Sequence, residues 1–368
     1  MRVIISGGGT GGHIFPAISI AKKIEKLMPK AEILFVGADN RMEMEKVPAA
    51  GYKIIGLPVT GMKRGFNLMN ISVLLKLLRS MKMAKKIISN FKPDVVVGVG
   101  GYASGPVLYQ ATKMGIPSII QEQNSYAGIT NKILSKKVNK ICVAYEGMER
   151  YFPANKVVLT GNPIREEIIK LAHTREQGIE HFNLNGNLKT VLVIGGSLGA
   201  RTINLSVSNS LNMLNQYNIQ IIWQTGKTYF NTAKMQSLGY KNVRVHEFIY
   251  DMDIAYATAD LIISRAGAIT ISELCQLGKP AILIPSPNVA EDHQTKNAMA
   301  LVEKEAAEMI TDDEAIGSLM VKALDILGDE KKMKSLSANI KKLAIPNATD
   351  LIVKEVLSIV VKTELHTS

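Results

Sequence analysis

The sequence MRVIISGGGTGGHIFP, residues 1–16, joins a β-branched apolar run directly to a cluster of glycines. A second junction of the same kind, VLVIGGSLGA, occupies residues 191–200. In both places a strand pattern leads through glycines into a helical pattern, the arrangement in which backbone amides and a helix N-terminus can bind phosphate. The repetition predicts an α/β protein with two Rossmann-like domains, whose parallel sheets face each other across a cleft.

Short apolar runs, separated by helical stretches, continue through both halves of the chain. They lie at residues 3–6, 33–36, 53–56, 95–99, 118–121, 141–143 and 157–159, and again at 191–194, 219–223, 243–245, 261–264, 281–284 and 308–310. Because they are continuous rather than alternating, they are typical of parallel strands covered on both faces. We therefore expect a first domain at 1–162 and a second at 163–346. An amphipathic helix at about 347–368 should return to the first domain.

The composition, 46% hydrophobic and 21% charged in 368 residues, is that of a folded globular protein large enough for two domains. The two cysteines, Cys142 and Cys275, have no partner at metal-ligand spacing, which favours free thiols in a reducing compartment. The N-terminal residues leave no room for a signal peptide, and no run reaches the ~20 apolar residues of a membrane-spanning helix. We therefore expect a cytoplasmic protein, with any membrane contact peripheral.

Positive charge is concentrated in the first half of the chain. Residues 1–160 carry 23 Lys and Arg against 9 Asp and Glu, whereas residues 161–368 carry 21 against 23. Residues 60–92 hold eight basic residues and no acidic one, interleaved with large apolar side chains. Such a helix can lie on an anionic membrane surface, or it can pack on the core with a solvated basic side. The charge asymmetry favours the membrane, and the residues expected to contact it are Lys63, Arg64, Phe66, Leu75, Arg79, Lys82 and Lys86.

Three glycine clusters follow predicted strands, at residues 7–12, 100–105 and 195–199. One such cluster can be a tight packing turn, but three at strand C-terminal ends favour an extended diphosphate ligand. His13 follows the first cluster and titrates in the range of a general base, although it can equally cap the helix or contact phosphate. Glu122, at a predicted strand end, can act as a base or orient hydroxyls. Alternatively, neighbouring amides satisfy its carboxylate.

The second half offers groups suited to a nucleoside and a sugar. In SRAGAITISE, residues 264–273, Glu273 lies about one turn into a predicted helix, where its carboxylate can accept both ribose hydroxyls. EDHQTKN, residues 291–297, places amide and charged side chains beside a proline-containing loop, as sugar recognition requires. His293 in this segment can also be an ordinary solvated side chain. No set of His, Cys, Asp and Glu has metal-ligand spacing.

These clusters, in this order and spacing, closely resemble the MurG family, the UDP-N-acetylglucosamine transferases that complete lipid II in bacterial peptidoglycan synthesis. The resemblance runs nearly end to end through GGGTGGHIFPAISIA, GGYASGP, QEQNSYAGITNK, TGNPIR, GGSLGA, SRAGAITISE and DHQTKNA. It implies a GT-B fold and an inverting reaction, in which the C4 hydroxyl of the N-acetylmuramyl group of lipid I attacks UDP-N-acetylglucosamine and expels UDP. One departure is Gln121, where many relatives have histidine.

The resemblance also implies roles for individual residues, with His13 as the base and Glu122 as the second candidate. At the donor, Ser197 and Arg165 are expected to meet the diphosphate, and Ile249 to hold uracil through its backbone. Glu273 is expected at the ribose, with Ala268, Ile269, Thr270, Ile271 and Ser272 along the same wall. The residues expected at the donor sugar and phosphates are Thr10, Gly11, Gly12, Asn124 and Gln294. Those expected at the acceptor's diphosphate are Gly9, Tyr102 and Ser104. No tightly bound cofactor or metal is expected, because backbone amides and Arg165 would carry the leaving group's charge.

The implied partners are UDP-N-acetylglucosamine (UDP-GlcNAc), lipid I and an anionic membrane surface, with no nucleic acid. The implied location is the cytoplasmic face of the bacterial inner membrane, and further cell-wall synthesis proteins remain open as partners. Three other readings stay open on the residues alone. They are a soluble UDP-N-acetylglucosamine 2-epimerase, a nucleotide-binding oxidoreductase, and a nonenzymatic module that binds polyanions with a steep salt dependence.

Overall fold

The computed structural model describes residues 1–60, 69–170, 173–196 and 198–367. The chain forms two compact units, the first made of Met1–Ile164 with Ile345–Ser368 and the second of Arg165–Ala344. Each unit contains one sheet in which all paired strands run parallel. The predicted α/β class with parallel sheets is therefore confirmed.

The sheet of the first unit is formed by the seven apolar runs predicted there. Its strands are β1 (Arg2–Ser6), β2 (Glu32–Ala38), β3 (Lys53–Leu57), β4 (Val95–Gly98), β5 (Ser118–Glu122), β6 (Lys140–Val143) and β7 (Val157–Leu159), in the order β3-β2-β1-β4-β5-β6-β7. The intervening helices are α1 (Gly11–Leu27), α2 (Glu43–Ala49), α3 (Met69–Phe91), α4 (Ser104–Lys113) and α5 (Ile129–Leu134), followed by 3₁₀ turns at Met148–Arg150 and Ala154–Lys156.

Helices cover this sheet on both faces, and alternate residues of β1 show the two cores. Ile4 packs with residues of α3 and α4, including Ile88 and Leu108. Val3 and Ile5 point to the opposite face and pack with residues of α1 and of the C-terminal segment. Because both faces are buried, the strands contain apolar residues without alternation.

The second unit repeats the plan with six strands. They are β8 (Lys189–Ile194), β9 (Ile219–Gln224), β10 (Val243–His246), β11 (Leu261–Ser264), β12 (Ala281–Leu283) and β13 (Glu308–Met309), in the order β10-β9-β8-β11-β12-β13. The helices are α6 (Glu166–Lys170), α7 (Arg175–His181), α8 (Arg201–Ser208), α9 (Leu211–Gln216), α10 (Phe230–Gln236), α11 (Met252–Thr258), α12 (Ala268–Leu277), α13 (His293–Val302), α14 (Asp312–Gly328) and α15 (Glu330–Lys342), with a 3₁₀ turn at Ala290–Asp292. Trp223 is fully buried in the core, where its indole N–H donates to Asn204 Oδ1 at 2.9 Å.

The C-terminal helix, α16 (Ala348–Thr367), belongs to the first unit. Its residues Ile352, Val353 and Val356 are buried in the cluster that also contains Val3 and Ile5. An ion pair between Lys23 of α1 and Asp350 ties the two helices together. The first hydrophobic core therefore includes residues that follow the second unit in the chain.

The strand order reverses direction between β1 and β4 in the first unit and between β8 and β11 in the second. In open parallel sheets, ligands bind beyond the carboxyl ends of the strands at such a reversal. The glycine clusters at residues 7–12 and 100–105 follow β1 and β4, and the cluster at 195–199 follows β8. Among the described helices, none is long and apolar enough to cross a membrane.

Candidate active site

The two glycine loops of the first unit touch each other at the point where the strand order reverses. A Cβ atom added to Gly101 would lie 2.3 Å from the carbonyl oxygen of Gly8, and the φ angle of Gly101 is +84°. Both observations require glycine at this position. The loop after β1 therefore packs backbone to backbone against the loop after β4, and the two form one surface.

His13 lies in the first turn of α1 with its imidazole beside both loops. Its Nδ1 is 2.9 Å from the carbonyl oxygen of Gly8. Since a carbonyl only accepts hydrogen bonds, Nδ1 carries the hydrogen, and in the neutral imidazole Nε2 carries the lone pair. A Cβ on Gly100 would lie 2.8 Å from Nε2, so this edge of the ring lies beside the second loop. The tautomer is the one that a base acting through Nε2 requires.

Glu122 ends β5, and its side chain is only 2% exposed. One carboxylate oxygen accepts the backbone N–H of Asn124 at 3.1 Å and that residue's side-chain amide at 3.3 Å. The other accepts the N–H of Gly128 at 3.0 Å and the side-chain amide of Asn131 at 2.8 Å. Glu122 therefore holds the loop at residues 124–128 and the first turn of α5, which favours a carboxylate satisfied by neighbouring amides over a base.

The remaining candidates of the first unit differ in how they are presented. Thr10 is exposed at the N-cap of α1, and Gly11 and Gly12 form the first helical positions. Tyr102 is exposed, whereas Ser104 is buried and its hydroxyl donates to the carbonyl of Gly101 at 3.0 Å. Ser104 therefore braces the second glycine loop from inside.

Two further positions of the first unit, Gly9 and Gln121, have defined hydrogen-bond partners. The N–H of Gly9 donates to Glu43 Oε2 at 2.8 Å, so this amide already has an acceptor. Gln121 is fully buried and donates from Nε2 to Asn162 Oδ1 at 2.9 Å. Gln121 thus joins the end of β5 to the segment that leaves the first unit.

In the second unit, Gln224 links the loop after β8 to the segment after β10. Its Nε2 donates to the carbonyl of Gly196 at 3.2 Å, and its Oε1 accepts the N–H of Ile249 at 2.9 Å. A backbone contact from Ile249 to uracil must therefore use the Ile249 carbonyl or displace Gln224. Ser197, expected at the diphosphate, lies outside the described residues.

Glu273 lies near the middle of α12 and is almost fully buried. Its Oε1 is 3.2 Å from Arg165 Nη2, and its Oε2 accepts the hydroxyl hydrogen of Tyr256 at 2.9 Å. Burial raises the pKa of the Glu273 carboxyl, and Arg165 and Tyr256 partly oppose that rise. The pKa of Tyr256 is raised well above its ordinary value by burial and by the Glu273 carboxylate. Tyr256 and Glu273 form a buried hydrogen-bonded pair, and the partly exposed Arg165 bonds to the same carboxylate.

The residues predicted to line the donor along α12 differ in their exposure. Ala268, Ile269, Thr270 and Ser272 are partly exposed, but Ile271 is only 2% exposed, and its side chain packs inward because the helix turns it toward the core. The Ser272 hydroxyl donates to the carbonyl of Ala268 at 3.0 Å.

Gln294, expected at the donor sugar, stands at the start of α13. Its Oε1 accepts the N–H of Ser286 at 2.9 Å, and so it also holds the loop after β12. This bond uses one of the two lone pairs of the amide oxygen.

Three residues of these sites were not anticipated from the sequence, namely Glu43, Gln224 and Tyr256. Each makes its bonds to a distant element, and none lies in a motif of glycines or of clustered charge. A carboxylate at the start of a short helix, a glutamine at a strand end and a tyrosine in a helix are ordinary placements. Within the described residues, no group of three or more His, Cys, Asp and Glu side chains could hold a metal ion.

The structure describes some of the residues expected at the membrane. Lys63, Arg64 and Phe66 lie outside the described residues, whereas Leu75, Arg79, Lys82 and Lys86 are exposed on α3. Leu77 is 41% exposed although it shares a helical face with Ala84 and Ile88, which are buried. Near the described start of α3, Leu77 is therefore exposed on the same helix face that carries the buried Ala84 and Ile88 farther along. Leu74, Leu75 and Leu78 are exposed there as well.

Both halves of the chain match domains of one enzyme family. Residues 3–143 match the glycosyltransferase family 28 N-terminal domain, and residues 190–352 match the glycosyltransferase family 28 C-terminal domain. The chain is 56% identical, over 98% of its length and 99% of the relative, to the UDP-N-acetylglucosamine--N-acetylmuramyl-(pentapeptide) pyrophosphoryl-undecaprenol N-acetylglucosamine transferase of Parabacteroides distasonis. It is 54% identical, over 97% of both chains, to the protein of the same description from Christiangramia forsetii.

Solved structures show the same architecture. The crystal structure of Acinetobacter baumannii MurG is similar with a TM-score of 0.78 at 29% identity, and the match covers 97% of this chain and 99% of that one. The UDP-GlcNAc 2-epimerase of Neisseria meningitidis is similar with a TM-score of 0.68 at 17% identity, over 97% of this chain and 100% of that one. The identity in this second pair is so low that it shows a shared fold alone.

Proposed function

The chain belongs to glycosyltransferase family 28, and we propose that it transfers N-acetylglucosamine from UDP-GlcNAc to the C4 hydroxyl of the N-acetylmuramyl group of lipid I. The product is lipid II, the precursor used in peptidoglycan synthesis. The full-length similarity to transferases of this one description carries the assignment, because it includes both halves of the chain. The likeness to an epimerase extends only to the fold.

The reaction replaces one bond to the anomeric carbon with another and inverts that carbon. The acceptor oxygen forms the new bond, the bond to the UDP oxygen breaks, and the hydroxyl proton passes to a base. We assign the base to Nε2 of His13, because the bond from Nδ1 to the Gly8 carbonyl leaves the lone pair on Nε2. Glu122 takes a supporting role, since its two oxygens hold the loop at residues 124–128 and the first turn of α5.

The donor's nucleoside and diphosphate are assigned to the second unit. Glu273 accepts the ribose hydroxyls, and its carboxylate is aimed by Tyr256. Arg165 supplies positive charge for the departing diphosphate, together with backbone N–H groups of the glycine loop after β8. Arg165 pairs with Glu273 in this structure, and so it must share or leave that carboxylate to meet the diphosphate. No step requires a metal ion if these groups stabilise the leaving group.

The acceptor's lipid tail explains the surface of α3. We assign the exposed leucines at its start to the apolar part of the bilayer and the exposed Arg79, Lys82 and Lys86 to anionic headgroups. The protein would then work as a peripheral enzyme at the cytoplasmic face of the inner membrane, where lipid I is available. Large exposed leucines beside basic residues support this assignment, because a solvated helix gains nothing from them.

The test of the function is sugar transfer from UDP-GlcNAc labelled in the sugar to a short-chain lipid I analogue. We expect label in a lipid II product and one UDP released for each sugar transferred. The same reaction mixture, without the acceptor, should form no N-acetylmannosamine. Epimer formation without transfer would instead identify an epimerase, and binding of NAD in place of UDP would identify an oxidoreductase.

A further inference from the structure

We propose that Glu43 is a positioning residue for the reaction, which acts on His13 through the peptide group between Gly8 and Gly9. The proposal rests on the proposed function only in naming His13 as the base. The bonds that connect the three groups lie wholly within the first unit.

The connection consists of two hydrogen bonds at opposite ends of one peptide group. The N–H of Gly9 donates to Glu43 Oε2 at 2.8 Å. The carbonyl of the same peptide, which belongs to Gly8, is 2.9 Å from Nδ1 of His13. The order is therefore carboxylate, peptide N–H, peptide C=O, imidazole. In a trans peptide the N–H and C=O point in opposite directions, so one group can bridge the two side chains.

The carboxylate itself is firmly held. Glu43 is 0% exposed, and its other oxygen, Oε1, accepts the N–H of Ala38 at the end of β2 at 2.9 Å. A Cβ added to Gly8 would lie 2.1 Å from Glu43 Oε1, and one added to Gly37 would lie 2.6 Å from Glu43 Cγ. The two glycines therefore provide the space in which the carboxylate reaches both N–H groups.

The arrangement has two chemical consequences for His13. A buried carboxylate that accepts the Gly9 N–H polarises the peptide, which makes the Gly8 carbonyl a stronger acceptor. The stronger acceptor fixes the hydrogen on Nδ1 and favours the imidazolium that forms when Nε2 takes a proton. Catalytic triads obtain the same two effects from a carboxylate bound directly to the imidazole. Here a peptide group stands between them.

The test compares Glu43→Gln with the matched control Glu45→Gln. Glutamine keeps the shape but has one acceptor oxygen, so its amide NH₂ must face either the Gly9 or the Ala38 N–H. Glu45 lies on the same short helix, is exposed, and pairs at the surface with Lys46. Two readouts are needed. One is the tautomer of His13, from two-bond ¹H–¹⁵N spectra of protein labelled at its six histidines, assigned with His13→Gln. The other is kcat and KM in the transfer assay.

We expect the Nδ1–H tautomer in the wild type and in Glu45→Gln, and a shift toward the Nε2–H tautomer in Glu43→Gln. We also expect kcat of Glu43→Gln to fall about 10-fold to 100-fold, the range seen for partners that orient metal-bound histidines, while KM for UDP-GlcNAc changes less than about twofold. An Nε2–H tautomer in the wild type would overturn the proposal without any variant. So would an unchanged tautomer together with wild-type kcat in Glu43→Gln.

The two proposals fail in distinguishable ways. If the wild type transfers no sugar to the lipid I analogue, the proposed function fails, and the tautomer comparison still decides whether Glu43 acts on His13. If Glu43→Gln loses thermal stability and affinity for UDP-GlcNAc together, with the His13 tautomer unchanged, Glu43 supports the loop only and the proposal is wrong.

Discussion

Replacing Tyr256 with phenylalanine removes one oxygen atom from the buried set around Glu273, and we expect it to cost stability. The Tyr256 hydroxyl donates to Glu273 Oε2 at 2.9 Å, and both side chains are buried. A hydrogen bond to a charged group contributes about 1.5–3 kcal/mol. For a unit of this size, each kcal/mol moves the unfolding midpoint by roughly 2–4 °C. The midpoint of Tyr256→Phe should therefore fall by about 3–12 °C.

The same change should alter how UDP binding depends on pH. Burial raises the pKa of Glu273, whereas Arg165 and Tyr256 lower it. Losing the Tyr256 hydroxyl therefore raises this pKa further, so the carboxyl takes up its proton at a higher pH. Protonation removes acceptor capacity for the ribose hydroxyls. UDP binding should weaken as the pH falls through the raised pKa, and in Tyr256→Phe this weakening should begin at a higher pH.

Calorimetric titration with UDP and with 2′-deoxyuridine diphosphate distinguishes a misoriented Glu273 carboxylate from a general loss of structure at the site. Tyr256→Phe should weaken UDP binding about 5-fold to 10-fold, or roughly 1–1.4 kcal/mol, and reduce the preference for UDP over the deoxy compound. Tyr217→Phe, which changes an exposed tyrosine of the same unit, should leave both values as in the wild type. An unchanged midpoint, or an equal loss of affinity for both ligands, would refute the reasoning.

Three other variants test the remaining assignments. His13→Ala should lower kcat at least 100-fold while the affinity for UDP stays nearly unchanged, because a positioned general base contributes about 100-fold or more to the rate. Wild-type turnover in this variant would show that His13 is not the base. Glu122→Gln should lower the stability by about 1–3 kcal/mol, because amides would lose their acceptor, but it should not change the shape of the pH profile of kcat. If the acidic limb of that profile disappears, Glu122 is the base. The double change Lys82→Glu with Lys86→Glu should reduce sedimentation of the protein with anionic vesicles. Changing the salt concentration should not return the variant's sedimentation to the wild-type level.

The vesicle experiment needs a control of equal charge. Lys331→Glu with Lys334→Glu makes the same change in net charge at exposed positions of α15 in the second unit. This control should bind vesicles like the wild type. If both double variants lose binding equally, net charge rather than the surface of α3 attracts the membrane.

The sequence by itself determined the two sheets, and the physical reason is local. A strand buried on both faces must be apolar along its length, so the central strands β1, β4, β8 and β11 could be predicted from runs of neighbouring residues. The glycine loops were readable for a similar reason, because close backbone contact excludes side chains wherever it occurs. The family motifs predicted Glu273 and Arg165 at the donor, and the structure places Arg165 Nη2 3.2 Å from Glu273 Oε1.

Only the tertiary structure decided which polar groups are already engaged. The sequence left Glu122 open between a base and a held carboxylate, and its bonds to a loop of its own domain favour the second. Glu43 meets Gly9 across 34 residues, Ile249 meets Gln224 across 25, and Tyr256 meets Glu273 across 17. Such partners depend on how helices and strands pack, which is a property of the whole domain and leaves no pattern in neighbouring residues.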